Sequence, residues 1–215
     1  GFWGNVPSPA GNGGLRKDGV FEPDQVALHR ASGWEKPLYK PEHWQKVREL
    51  DFSKVDVDTT YRCLPPGIPR MNAPVKIVQT PKEVVLLYYG LRTRVVPLDG
   101  RKHTDEDADL ESFDGVPVGR WDGDTLIVES VGFNDQSWLQ WQGYLHSNRM
   151  KVTERFWRQG DLLFYNFTVD DPEFLLEPWT QGTLVRRNLA IPNLRLDEAP
   201  PCEVVEPEGD VNLRG

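Results

Sequence analysis

The chain has 215 residues, of which 38% are hydrophobic, 11% aromatic and 27% charged, and its net charge is −8. This composition is typical of a folded globular protein, and no apolar run reaches the roughly 18 residues that a membrane-spanning helix needs. The negative charge argues against nucleic acid or an anionic membrane as the main partner. We predict no membrane insertion, expect a small-molecule substrate or ligand and leave a homo-oligomer open.

The N-terminal region, residues 1–60, is predicted to be an irregular arm and one short helix that pack on the body. Residues 1–30 are rich in glycine, proline and asparagine and show no periodicity. The segment 41–50 predicts the helix, because Pro41 suits the first helical position.

Residues 61–200 are predicted to form one antiparallel β domain, with 201–215 as a C-terminal tail. Strand–turn–strand patterns occupy 76–89, 118–131 and 151–169, and single strands are predicted at 92–98 and 183–191. Many short strands with turn signals are typical of a barrel or sandwich. We expect a mostly β fold, with a calycin- or lipocalin-like meander barrel first and a jelly-roll sandwich as the alternative.

The hairpin at 118–131 is predicted to turn at the pair Asp122–Gly123, which favours a tight turn between two apolar strands. The connections 99–114 and 132–150 are too long for hairpins. Long loops in a compact domain are usually functional or mobile, and each of these two contains a histidine.

Two cysteines, Cys63 and Cys202, lie in the proline-rich stretches 63–67 and 199–203. Such stretches rarely bury a thiol in a core, which favours a disulfide formed in an oxidising compartment. Two unrelated buried thiols are the alternative.

Alternation along 151–158 turns Glu154 to one side of a strand and Arg155 to the other, each among apolar neighbours. A buried charge must be paired or change its protonation state. We therefore expect Glu154 to be an acid or base inside the barrel, and Arg155 to hold an anionic group or pair with Asp171; a structural ion pair is the alternative.

A second polar group lies in the loop 132–150. His146 is a proton shuttle suited to neutral pH, Asp135 could orient it, and the two nearby tryptophans could form a wall for a ring. In the alternative interpretation, Asn134 and Asp135 cap a short helix at 136–141 whose tryptophans pack as core. The members of this group are Asn134, Asp135, Trp138, Trp141 and His146.

The acidic loop 101–111 contains His103 and aspartates at alternate positions. The spacing is typical of the start of a calcium loop, but Leu110 and Val116 replace the required glycine and glutamate. An EF-hand is thereby excluded, and we commit to no metal site. A solvated loop is the preferred interpretation; irregular Ca²⁺ binding by the loop and a catalytic or ligand-contacting role of His103 are the alternatives.

These groups of polar residues favour an enzyme of the isomerase, lyase or dehydratase type. It would move protons on a small aromatic or ring-containing substrate without a cofactor. The alternatives are a non-catalytic binding or carrier protein and a glycoside-cleaving lyase or hydrolase. The predicted catalytic residues are His146, Glu154, Asp171 and His103. The predicted substrate-binding residues are Arg155, Asn134, Asp135, Trp138, Trp141, Tyr88 and Trp179.

A series of motifs between residues 60 and 180 resembles sequences of a known protein family. They are YRCLPPGIPR at 61–70, IVQTP at 77–81, DGRKH at 99–103, GRWDGDTLIVESVGFND at 119–135, LHS at 145–147, TERF at 153–156 and DDPEFLLEPW at 170–179. Together they resemble a large family of uncharacterised exported proteins of environmental Gram-negative bacteria. The resemblance implies a shared fold and a periplasmic or secreted location, and no activity.

Overall fold

The protein is mostly β, as the alternating patterns predict. A computed structural model describes residues 3–5, 37–49, 58–140, 143–188 and 195–204, and these residues form two antiparallel sheets. Among the helices of these residues, none has the length and apolar character to cross a membrane.

The strands are β1 Trp3–Asn5, β2 Lys76–Gln79, β3 Glu83–Leu87, β4 Thr93–Pro97, β5 Val116–Asp122, β6 Thr125–Val131, β7 Lys151–Gln159, β8 Leu162–Asp170, β9 Trp179–Thr180 and β10 Leu184–Asn188. The helices are α1 Trp44–Arg48 and α2 Asp105–Asp109, and short 3-10 turns lie at Pro41–His43, Thr59–Arg62 and Tyr89–Leu91. Strands β2 to β8 and β10 follow the predicted order, whereas β1, β9 and α2 were not predicted. The arm predicted to be irregular contains β1, which pairs with β10.

The larger sheet has the order β1-β10-β8-β7-β6-β5, and β9 also pairs with β8. Strands β5 to β8 form a meander in which each strand pairs with the next one along the chain. Side chains alternate between the two faces along each strand, and most of those on the inner face are apolar. The buried inner residues include Leu126, Val128, Val152, Phe156, Leu163, Tyr165 and Phe167.

The smaller sheet has the order β2-β3-β4 and packs its inner face against the larger one. Val84 and Leu86 of β3 and Val96 of β4 are fully buried, and they join the inner residues of the larger sheet in one core cluster. The core therefore lies between the two sheets.

The described residues do not close the predicted meander barrel. Strands β4 and β5 are neighbouring edge strands, but no ladder of hydrogen bonds joins them. Pro97 and Pro117 lie in these two strands, and a proline lacks the backbone N–H that a new neighbour would need. The consecutive pairing of β5 to β8 is also unlike the connections of a jelly roll.

The hairpins β5–β6 and β7–β8 have matching turns. Asp122 pairs with Thr125 and Gln159 with Leu162, so the central residues are Gly123–Asp124 and Gly160–Asp161. The first glycine has φ +57° and the second +55°, a region that favours glycine. The predicted turn at Asp122–Gly123 is therefore one residue too early.

The disulfide prediction is confirmed: Cys63 and Cys202 are bonded, with their Cα atoms 5.8 Å apart. The helix at 41–50 is present as the turn Pro41–His43 followed by α1. The short helix considered at 136–141 is wrong for the described part, because residues 136–140 form bends rather than helical turns.

Candidate functional site

A cleft of about 220 Å³ opens between the two sheets, beside the turns Gly123–Asp124 and Gly160–Asp161. Residues from both sheets line it, so it is a gap in their packing rather than a surface dimple. The lining residues are Ile77, Gln79, Val84, Trp121, Asp124, Leu126, Phe156, Trp157, Arg158 and Leu163.

The floor of the cleft is apolar because the strand register places large inner side chains in one row. Trp121 of β5 pairs with Leu126 of β6, which pairs with Phe156 of β7. On the facing sheet, Val84 of β3 pairs with Gln79 of β2. Aromatic and aliphatic walls of this kind are typical of small-molecule pockets.

The mouth of the cleft is polar. Trp121 is 44% exposed there, and Asp124 is an exposed residue of the β5–β6 turn. Arg158 is tied to its own hairpin, since its Nε donates to Gly160 O at 2.7 Å and its guanidinium lies 3.8 Å from the Asp161 carboxylate. A ligand would therefore meet an indole face and a carboxylate at the entrance.

Glu154 is fully buried, and it is paired as in the alternative of a structural ion pair. Its carboxylate lies 2.8 Å from the Arg94 guanidinium and accepts a hydrogen bond of 3.1 Å from Tyr165 Oη. Arg94 also donates to Tyr88 Oη at 3.1 Å and to Ser130 Oγ at 3.2 Å. This group of five side chains, the intersheet network, joins β4 of the smaller sheet to the larger sheet.

The electrostatics of the intersheet network favour a permanent ion pair. Burial, the largest single influence, disfavours a charged guanidinium, but the attraction of Glu154 and the contacts with Tyr88 together outweigh it and raise the pKa of Arg94. Burial raises the pKa of Tyr88 and of Tyr165 above the usual tyrosine value, and the Glu154 charge adds to the effect. Both tyrosines are therefore neutral donors or acceptors at physiological pH.

The intersheet network lies behind the cleft floor. Glu154 lies two residues before Phe156 on β7, and both side chains point to the inner face of the sheet. Tyr165, the hydrogen-bond partner of Glu154, packs against Phe156 with a ring-centroid distance of 4.8 Å. Glu154 and Tyr88 are not among the residues that line the cleft. Arg155 points to the opposite face of the sheet, where it pairs in register with Asn166, and the suggested ion pair with Asp171 is not formed.

His146 is buried, with both ring nitrogens occupied. Its Nδ1 lies 2.9 Å from Ser147 O and its Nε2 lies 3.0 Å from Ser137 Oγ. A carbonyl can only accept, so Nδ1 carries the proton and Ser137 donates to Nε2. Burial, the largest influence, lowers the pKa of His146, so the ring is neutral at pH 7.

Asp171 acts as a loop anchor. It accepts hydrogen bonds from Ser147 N at 2.7 Å, Ser147 Oγ at 2.8 Å, and the backbone N–H groups of Glu173 and Phe174 at 3.1 Å each. His146 and Asp171 thus both contact Ser147, but neither lines the cleft.

Two of the other predicted residues of this loop, Asn134 and Trp138, contact neighbouring protein groups. Asn134 Oδ1 accepts from Gln136 N at 3.0 Å and closes a local turn. Trp138 is buried beneath the Arg70 guanidinium, 5.2 Å from the ring centroid, and Arg70 forms a two-pronged ion pair with Asp58 at 2.9 and 2.6 Å. Asp135 is exposed, and Trp141 lies outside the described residues.

The remaining predicted residues also lie away from the cleft lining. Trp179 is buried edge-on against Phe167, with ring centroids 5.5 Å apart. His103 Nε2 lies 2.9 Å from Val116 O. The aspartates that follow His103 belong to α2, whose start is capped by Thr104, and the described residues contain no group of three or more metal-ligating side chains.

Sequence reasoning missed Trp121, Asp124, Arg158, Arg94 and Ser137. Trp121 and Arg158 flank hairpin turns and Asp124 lies in one, so a signal for them was available: an aromatic residue and charged residues in or beside two similar Gly-Asp turns. Arg94 is also visible as a charge at an inner position of the apolar segment 92–98.

Searches against protein-family models, curated proteins and solved structures found no match to this chain. The resemblance to a family of exported bacterial proteins therefore stays a prediction.

Proposed function

We propose that this is an exported binding protein for a small ring-containing molecule, and that the ligand occupies the cleft between the two sheets. The observation that carries this proposal is an open cavity with aromatic and aliphatic walls, while the predicted acid and base groups lie elsewhere, bonded to other protein groups. The non-catalytic alternative from the sequence is thus the one that the geometry supports best.

The size of the cleft limits the ligand. Its volume is about 220 Å³, whereas an apolar cavity of roughly 150 Å³ is enough to bind benzene. Drug-sized ligands need roughly 300 Å³ or more. A single aromatic ring with one small substituent therefore fits best.

Catalysis needs an acid and a base to converge on one pocket within hydrogen-bond reach. The four predicted catalytic residues, His146, Glu154, Asp171 and His103, are absent from the cleft lining. One observation keeps catalysis as a second candidate: Ser137 and His146 are 3.0 Å apart, a nucleophile–base distance. Both side chains are buried, so this candidate predicts slow labelling of Ser137 by a fluorophosphonate that His146→Gln abolishes.

Export is supported by the disulfide between Cys63 and Cys202, because disulfides form and persist in oxidising compartments. We propose that the protein functions in the periplasm or outside the cell. Thiol titration of protein purified from that compartment should find no free cysteine in the native chain.

The binding proposal is tested with benzamide, a neutral single-ring probe, by saturation-transfer NMR. Gln79 lines the cleft mouth on β2, so Gln79→Trp should fill the mouth and remove the transfer to benzamide. Val78, the next residue of β2, is exposed on the other face, so Val78→Trp is the matched control and should leave binding intact. The proposal fails if benzamide, benzamidine and benzoate all show no saturable binding, or if both variants bind equally.

A further inference from the structure

The entrance of the cleft has an unequal balance of charge. The Arg158 guanidinium is engaged with Gly160 O and with Asp161 of its own hairpin. Asp124 lines the same cleft, and among the described residues its carboxylate takes part in no ion pair or side-chain hydrogen bond. Arg158 is thus held by its own hairpin, and Asp124 is the lining residue whose charge has no counter-charge among the described residues.

A second feature of the entrance also favours a positively charged ligand. Trp121 lines the cleft and keeps 44% of its surface exposed. The face of an indole is the strongest cation–π acceptor among side chains. Trp121 and Asp124 belong to the same hairpin, three residues apart, so one cationic group at the mouth is offered both an aromatic face and a counter-charge.

We propose that the ligand is an organic cation: an aromatic or other apolar body inside the cleft, with an ammonium or amidinium group at the mouth beside Asp124 and Trp121. This inference rests on the proposed function and adds the charge of the ligand to it. The net charge of −8 acts in the same direction, because it raises the local concentration of cations around the protein.

Three probes of nearly equal shape distinguish the effect of ligand charge on affinity from the effect of ligand shape. Benzamidine is cationic, benzamide neutral and benzoate anionic. Their dissociation constants are measured from the indole N–H resonance of Trp121, assigned with Trp121→Phe. An exposed ion pair and a cation–π contact together predict about five- to tenfold tighter binding of benzamidine than of benzamide. Benzoate should bind most weakly.

The matched pair Asp124→Asn and Asp122→Asn tests which carboxylate is responsible. Both changes remove one negative charge from the same hairpin, but Asp122 is not part of the cleft lining. Asp124→Asn should reduce the preference for benzamidine to about twofold or less, and Asp122→Asn should leave it unchanged.

The outcomes separate the two proposals. Equal affinity for all three probes, or tighter binding of benzoate, overturns the cation inference while the cleft remains a binding site. An equal loss of preference in Asp122→Asn and Asp124→Asn also overturns it, since the effect would then be one of net charge. The absence of any saturable shift with all three probes overturns the proposed function itself.

Discussion

The loop around His146 and the cleft between the sheets contain similar side chains but use them differently. Ser137 and His146 of the loop, and Asp171 beside it, are buried and bonded to protein groups. In the cleft, Trp121 and Asp124 meet solvent beside an open apolar volume. A histidine, a carboxylate and tryptophans close in sequence therefore do not identify a site by themselves; the deciding property is whether the polar groups are already satisfied by the protein.

The largest expected effect comes from the intersheet network. Glu154→Ala leaves the Arg94 guanidinium buried without its counter-ion, which should lower the free energy of unfolding by about 3–5 kcal/mol. Urea denaturation measures the change. Glu129→Ala is the control, because Glu129 makes partly exposed ion pairs at 3.2 and 3.6 Å and should lose less than about 1 kcal/mol. Similar losses in both variants would contradict a structural role specific to Glu154.

Asp171 should come next. Asp171→Ala leaves the buried Ser147 N–H and hydroxyl without their acceptor, so unfolding should become easier by about 2–3 kcal/mol. Asp170→Ala, at the exposed neighbouring position, should change stability by about 0.5 kcal/mol or less. Benzamide binding should be the same in both variants. Loss of binding in Asp171→Ala, with the fold intact, would return Asp171 to the functional site.

The comparison also shows what local sequence patterns determine. The hairpins β2–β3, β5–β6 and β7–β8 were predictable because alternation and turn residues act over a few positions. Barrel closure was not, because it depends on whether β4 and β5 pair with each other, and alternation does not encode the choice of neighbour. Pro97 and Pro117 were the available signals against pairing.

The candidate site was harder to predict than the fold for a related reason. The mixed alternation of β7 identified Glu154 as unusual, but its partner Arg94 lies in the other sheet, 60 positions away in the sequence. Likewise, the cleft exists only where Val84 and Gln79 face Leu126 and Phe156 across the core. The spacing of residues within one segment cannot predict a cleft that forms between two sheets.

A smaller effect is expected in the cleft itself. Trp121→Ala removes an aromatic wall and should weaken benzamidine binding about tenfold, which corresponds to about 1.4 kcal/mol. Because Trp121 is 44% exposed, stability should fall by less than about 2 kcal/mol. Calorimetric competition and urea denaturation measure the two quantities. His146→Gln should have the opposite profile, with reduced stability and unchanged affinity.

The smallest effect concerns pH. Burial holds the pKa of His146 in the folded state below its ordinary value of about 6.5. As the pH falls below about 6.5, the unfolded chain takes up a proton that the folded protein does not, so stability is lost toward acid. The loss should grow as the pH falls from 7 to 5.5, and His146→Gln should flatten the profile over this range. An equal slope in the variant would show that another group titrates.

The most direct test of the central claim is a map of backbone amide shifts on titration with benzamidine. We expect saturable shifts around Trp121, Asp124, Phe156 and Val84, with no shift at Ser137 or His146. Saturable shifts centred on Ser137 and His146, with none in the cleft, would contradict it and place the functional site in the loop.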